Sequence, residues 1–294
     1  MAKINIPDAL KAAVPQTLFG RILAATPVIM TVVATALAGL ASSEMTRAQY
    51  SRSLAAQQQS KAGDQWGFFQ AKRLRVALQR NTLDILHATA EVRPFAASDL
   101  DAPTAAALQS GALPALPEAA PLDPSVSAAL AVLEKSPTDA EAATLIAQVK
   151  PKALDEALLA AKERAHALDK LLDPITKAVE RLDQQQAQST TDPAVIRSFT
   201  AARLRYTANR YDAEARVNQA IANLYEVQVR TSNQKADRHH NRSKSFFFGM
   251  LIAQAAVIIA TFSLAAARRN LLWGLAAAGG AAAVSFAIYV YLCV

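Results

Sequence analysis

STTDPAVIRSFTAARLRYTANRYDAEARVNQAIANLYEVQVRTSNQKADRHHNRSKSFFFGMLIAQAAVIIATFSLAAA, residues 189–267, joins a long polar segment to an apolar run with no proline after the fifth residue. It opens on a helix start. Asp192 is a side chain that caps free N–H groups, and Pro193 suits the first helical position, where its missing donor costs nothing. No proline follows Pro193 in the rest of the sequence. The spacing predicts one helix that runs from Pro193 through a polar arm to Ser245 and straight into the apolar run 246–267. At ~1.5 Å per residue the polar arm reaches ~80 Å, and ~20 apolar residues cross the ~30 Å hydrocarbon core of a bilayer.

Two more apolar runs accompany it, residues 22–41 and 271–294. None of the three contains Asp, Glu, Lys, Arg or His, and Gln254 is their one strongly polar side chain. Proton relays and ion-coupled transport need ionisable groups at depth, so a transporter core is not expected. After the first run, residues 42–93 hold no proline, and one helix is expected to continue to Pro94, reaching ~78 Å. Two arms of like length point to an antiparallel hairpin. In the second arm Ala213, Val217, Ala220, Leu224 and Val227 recur at alternating steps of four and three, a coiled-coil seam. The first arm offers Ala71, Leu74, Leu78 and Ile85, with Asn81 among them. A seam so rich in alanine is thin, and further copies packed around it are expected.

The expected fold is an all-α membrane protein with three transmembrane helices, a long antiparallel coiled-coil hairpin and a small helical tip. Its divisions are a tail over 1–21, a first transmembrane helix over 22–41 and a first arm over 42–93. A Pro/Ala-rich loop and helical tip fill 94–191, a second arm 192–245, and transmembrane helices 246–267 and 271–294. Six prolines from Pro94 to Pro124 prevent a continuous helix there, leaving one short helix near 104–109. Helices are expected over 125–135, over 137–149 behind Ser136, and from Pro151 onward. Pro174 is expected to break or kink the last of these before 175–188.

Composition narrows the function. Alanine supplies much of the 52% hydrophobic share, and with 6% aromatic residues and nine glycines this fits helices rather than sheets. Cys293 is the only cysteine, so neither an internal disulfide nor a thiolate cluster is expected. The net charge of +7 belongs to solvated helix faces and membrane borders; nucleic-acid binding is not expected, since no reader motif is present. A basic start with Lys3, Lys11 and Arg21 precedes a first apolar run longer than a cleavable signal core, so an uncleaved anchor is expected. Arg242 and Lys244 flank the second run, Arg268 and Arg269 form the turn to the third, and Trp273, Tyr289 and Tyr291 sit at predicted membrane borders. The positive-inside rule places the turn and tail in the cytoplasm and the large module outside it, while Arg242 and Lys244 argue the opposite. Adjacent His239 and His240 read as part of a solvated flank.

Asp64-Gln65-Trp66-Gly67-Phe68-Phe69-Gln70-Ala71-Lys72 is the densest aromatic patch outside the apolar runs. On a helix Trp66, Phe69 and Gln70 share a face, as do Gln65, Phe69 and Lys72. Such bulk needs burial, and counting back along both arms sets it near Val217 and Leu224, as a packing anchor for the hairpin or a neighbouring subunit. An aromatic ligand cage with Asp64 is the functional alternative. This run, together with Ala236–Asn241 and the Arg268-to-Trp273 turn, resembles a bacterial membrane-protein family known only as a domain of unknown function. The resemblance covers residues 22–93 and 193–294. It implies architecture and no activity.

No catalytic, cofactor or metal residue is assigned. The four histidines pair with no nucleophile in a recognisable pattern, and no phosphate-cradling glycine loop exists. The expected function is a non-enzymatic, membrane-anchored, homo-oligomeric scaffold in a bacterial inner membrane. The alternatives are a pore-forming or transport-accessory subunit, and a sensor or adaptor that binds a protein partner through its tip.

Overall fold

The computed structural model describes residues 18–96, 100–116, 118–135, 139–189, 192–266 and 269–293. The tail up to residue 17, the expected cap at Ser136-Pro137-Thr138, and Arg268 lie outside them. Seven helices account for nearly all described residues, and no strand occurs among them. They are α1 (Leu18–Thr89), α2 (Ala102–Ser110), α3 (Pro124–Lys135), α4 (Asp139–Ala147), α5 (Pro151–Ser189), α6 (Pro193–Ala265) and α7 (Arg269–Cys293). The fold is an all-α hairpin in which α1 packs against α6. Helices α1, α6 and α7 are long and apolar enough to cross a membrane.

The caps are local chemistry. Asp192 Oδ1 accepts from the Ala194 N–H at 2.8 Å, and Pro193 stands first in α6. Asp123 Oδ1 accepts from Ser125 N and Oγ at 2.9 and 2.6 Å at the start of α3. These two bonds hold the Asp123 carboxyl below the usual carboxylate range. Asp101 caps α2, which ends on Gly111 at φ 74°, a left-handed conformation that glycine adopts without penalty.

Two sequence expectations are corrected. The helix of the first arm ends at Thr89 instead of running to Arg93, because the residue before a proline is driven out of the α region and the chain leaves the helix early. Pro174 neither ends nor splits α5, which is one helix of 39 residues. Leu168, Leu172, Ile175 and Val179 are all buried around the proline, and their burial outweighs the hydrogen bond it removes.

The chain forms two compact units, residues 1–53 with 232–294, and residues 54–231. In the first, α7 and the neighbouring parts of α1 and α6 enclose a core of Ala34, Leu37, Ala41, Phe246, Ala253, Ala283 and Val290. Small side chains face inward here. Ala256, Ala260 and Ala276 are also buried, whereas Val28, Ile29, Ile258, Phe262, Leu271 and Ile288 are exposed. A Cβ on Gly280 would overlap Met30 Sδ, so the absence of a side chain is what admits Met30. Trp273 Nε1 donates to Thr26 Oγ1 at 2.9 Å, and Ser243 Oγ donates to the buried Ala41 carbonyl at 2.7 Å.

The second unit is a bundle. Its buried positions on α1 include Ala55, Ala62 and Val76, and on α6 Ala201, Ala208, Ala215, Ala222 and Val229, which recur every seven residues. The seams expected from sequence differ from these. On α1, Leu74, Leu78 and Ile85 are 64%, 56% and 55% exposed, and Ala71 is exposed as well. On α6, Ala220 is exposed, and Val217, Leu224 and Val227 belong to a cluster with Val126 and Ala129 of α3, Ile146 of α4 and Leu154 and Leu158 of α5. Leu224 and Val227 of α6 thus pack with α3–α5, while Ala201, Ala208, Ala215 and Ala222 keep to the heptad line. A second cluster joins Leu108 of α2, Ile175 and Val179 of α5 and Phe199, Ala202 and Tyr206 of α6. The segment after Pro94 therefore lies along the flank of α6.

Candidate functional site

The aromatic run of α1 divides by helix face. Gln65, Trp66, Phe69 and Lys72 are half-buried, while Asp64, Phe68 and Gln70 are exposed. Trp66 Nε1 donates to Glu226 Oε2 of α6 at 3.3 Å, and its ring meets Phe69 edge-on with centroids 5.5 Å apart. Lys72 pairs with Glu214 of α6. Glu214 also binds Arg210 Nε at 3.1 Å. Next to it, Asp212 holds Arg73 at 2.7 Å and Arg216 at 2.6 Å. The Tyr211 ring carries Lys72, Arg75 and Arg210 at 5.0, 5.4 and 5.0 Å from its centroid, so a quadrupolar face adds to the two carboxylates in holding the cations. Val217 and Leu224 belong to the apolar cluster that α6 forms with α3–α5. Asp64 stays outside, and the run forms no cage around it.

Behind the network Arg210 Nη1 donates to Thr176 Oγ1 of α5 at 3.1 Å, and Thr176 Oγ1 shares a hydrogen bond with Tyr206 OH at 2.9 Å. Burial pushes the Tyr206 phenol up, against the bond to Thr176 and the charge of Arg210. A cavity of about 180 Å³ opens beside these groups, lined also by Glu180, Asp183 and Arg203. Arg203 and Asp183 pair across it. Cations and carboxylates alternate along these helix faces and neutralise one another, which locks α1, α5 and α6 in one register.

In the first unit the membrane-border residues are placed separately. Arg242 is half-buried with its Nε unpartnered, and Lys244 is exposed. Arg269 opens α7. Trp273 binds Thr26, and Tyr289 and Tyr291 are 57% and 72% exposed. An apolar cavity of about 480 Å³ lies between α1 and α7, against Ile29, Met30, Trp273 and Gly280.

Sequence reasoning missed Glu44 and corrected readings of His239 follow from it. Glu44 is buried, with Oε2 2.6 Å from His239 Nδ1 and Oε1 3.0 Å from Arg47 Nη1. His239 is thus a packed partner and not part of a solvated flank. The signal was available, because Glu44 continues the seven-residue line of Leu23, Met30 and Leu37. Among the described residues no group of three His, Cys, Asp or Glu is arranged to hold a metal ion.

An all-α hairpin with three span-length apolar helices is the class that this geometry defines. Within it, residues 19–112 match the model of a domain of unknown function, DUF4337. The matched stretch takes in the first apolar run and the Asp64–Lys72 run; residues 193–294, the other part of the resemblance, lie outside it. No curated protein and no solved structure matches the chain.

Proposed function

We propose that the chain is a non-enzymatic, integral protein of a bacterial inner membrane, whose coiled-coil hairpin carries a helical module as one subunit of a homo-oligomeric scaffold. The observation that carries this reading is the contrast between the two units. In the first, alanines make up most of the buried apolar positions, beside Leu23, Leu37, Phe246 and Val290, while many large groups, among them Val28, Ile29, Ile258, Phe262 and Leu271, face outward, an arrangement that lets helices pack closely in lipid. In the second, alanines recur at seven-residue steps on α6, and the charged side chains that cross from α1 to α6 meet carboxylates. Such a contact positions helices and leaves its acids and bases committed to each other.

The short basic turn between α6 and α7 supports a module outside the cytoplasm, since short turns follow the positive-inside rule better than long domains do. Labelling of Ser110→Cys, an exposed position, by an impermeant reagent in intact cells tests that side, with Cys293→Ser as background. Mass measurement of the detergent-solubilised protein tests the assembly. A particle several times the 31.3 kDa chain is expected, and a monomer overturns the scaffold.

A further inference from the structure

The homo-oligomeric reading leaves open which surface joins the copies, and the outward face of α1 answers it. Leu74, Leu78 and Ile85, exposed to more than half of their area, stand on this face with exposed Ala71, Asn81 and Ala88. With Gly67 these positions follow one another at alternating steps of four and three over three heptads, and Phe68 lies at their edge, 55% exposed. This is the spacing of a helix seam that faces a second helix. It is separate from the line of Gln65, Phe69, Lys72 and Val76 by which α1 meets its own bundle. Toward the N-terminus the same outward line reads Ser53, Gln57, Ser60 and Asp64, all exposed and polar, so the seam starts at Gly67.

We propose that two copies of this chain pair in parallel along this stripe of α1, from Gly67 to Ala88. Three features select a second copy as the occupant, given the membrane-anchored homo-oligomer on which the proposal rests. First, α1 is one continuous helix that holds both the first apolar run and the stripe. Copies inserted with one orientation therefore present α1 in one direction, and a parallel pair matches each seam position with itself. Second, Asn81 then meets the partner's Asn81 in a core layer, where two side-chain amides satisfy each other; against an apolar surface each would be left unpaired. A shifted register would set each Asn81 amide against an apolar side chain and leave it unpaired, so this layer favours the in-register pair. Third, the flanking positions are compatible. A parallel pair sets Gln70 against Arg75, Ala77 against Thr82 and Asp84 against Thr89 of the other copy, so no like charges meet. Gly67 has open space where its Cβ would stand, which admits a neighbouring backbone at the start of the seam.

The test uses the full chain in native membranes with Cys293→Ser as background and one cysteine introduced at a time. Under mild oxidation Leu78→Cys is expected to give a disulfide-linked dimer, and Arg80→Cys, exposed on another face of the same turn, at least tenfold less. Leu74→Asp with Leu78→Asp is expected to lower the mass of the solubilised particle while helical content stays unchanged, since both side chains are exposed in the single chain. An oligomeric particle in which Leu78→Cys links no faster than Arg80→Cys overturns this interface and leaves the scaffold reading standing. A monomeric particle overturns both. Linkage of Leu78→Cys to a different polypeptide overturns the proposal in favour of a heterologous partner.

Discussion

Glu44 is the residue on which the first unit makes its most exacting demand. A buried carboxylate is tolerable only when charged or hydrogen-bonding partners replace water, and here His239 and Arg47 do so. Glu44→Ala strands the His239 imidazole and is expected to destabilise the protein by about 2–3 kcal/mol. Thermal unfolding in detergent reads the loss, and a double-mutant cycle with His239→Ala isolates the pair. Tyr206 makes a different demand, with a sign that is fixed. Its phenol is raised in the folded chain, mainly by burial, so ionisation favours the unfolded state. The contribution is intact below the ordinary tyrosine value of ~10 and is lost as pH rises through the higher folded value. Tyr206→Phe is expected to flatten the alkaline fall in stability relative to the parent chain, as measured by denaturant midpoints on both sides of pH 10.

Among the elements, the heptad line of alanines governs how α1 and α6 accept change. Ala55 is 4% exposed and Ala56, its neighbour, is exposed. Ala55→Leu overpacks the contact and is expected to cost about 1–3 kcal/mol, while Ala56→Leu changes stability by less than about 0.5 kcal/mol; equal effects contradict the observed register. In α5, Pro174 is exposed inside a continuous helix. Pro174→Ala restores a main-chain donor and is expected to stabilise the chain by up to about 3 kcal/mol in a denaturant titration. At the end of α2, Gly111→Ala brings a Cβ to 2.6 Å from Asn209 Nδ2 in a left-handed backbone, with an expected loss of about 1–2 kcal/mol from the backbone alone. These cases also show what was legible. The helices with strong signals, from apolar runs and from Asp192-Pro193, appear in sequence almost at their observed bounds. The seam does not, because alanines stand out little against an alanine-rich chain. The conspicuous Leu74 and Leu78 lie on an exposed face of α1, and Leu224 faces the cluster with α3–α5. Glu44 falls on the seven-residue line of Leu23, Met30 and Leu37, but its partner His239 lies almost two hundred positions away.

For the whole molecule, the sequence makes membrane residence and hairpin topology visible through three apolar runs and two proline-free arms. The run from Asp64 to Lys72 is visible as an anchor but not as a charge network, since the carboxylates that hold Lys72 and Arg73 belong to α6 and only packing brings them near. Helices α1 and α6 pair antiparallel on an alanine line, which the first unit expresses through Glu44 with His239 and Ala41 with Ser243. That register sets buried Ala48 opposite buried Ala236. The direct measurement is oxidation of the Ala48→Cys, Ala236→Cys chain in a Cys293→Ser background, followed by proteolytic mapping. A rapid bond between positions 48 and 236 within one chain is expected, and slow bonding when the second cysteine is moved to exposed Lys235. Equal rates for the two, or a bond only between chains, would contradict that register.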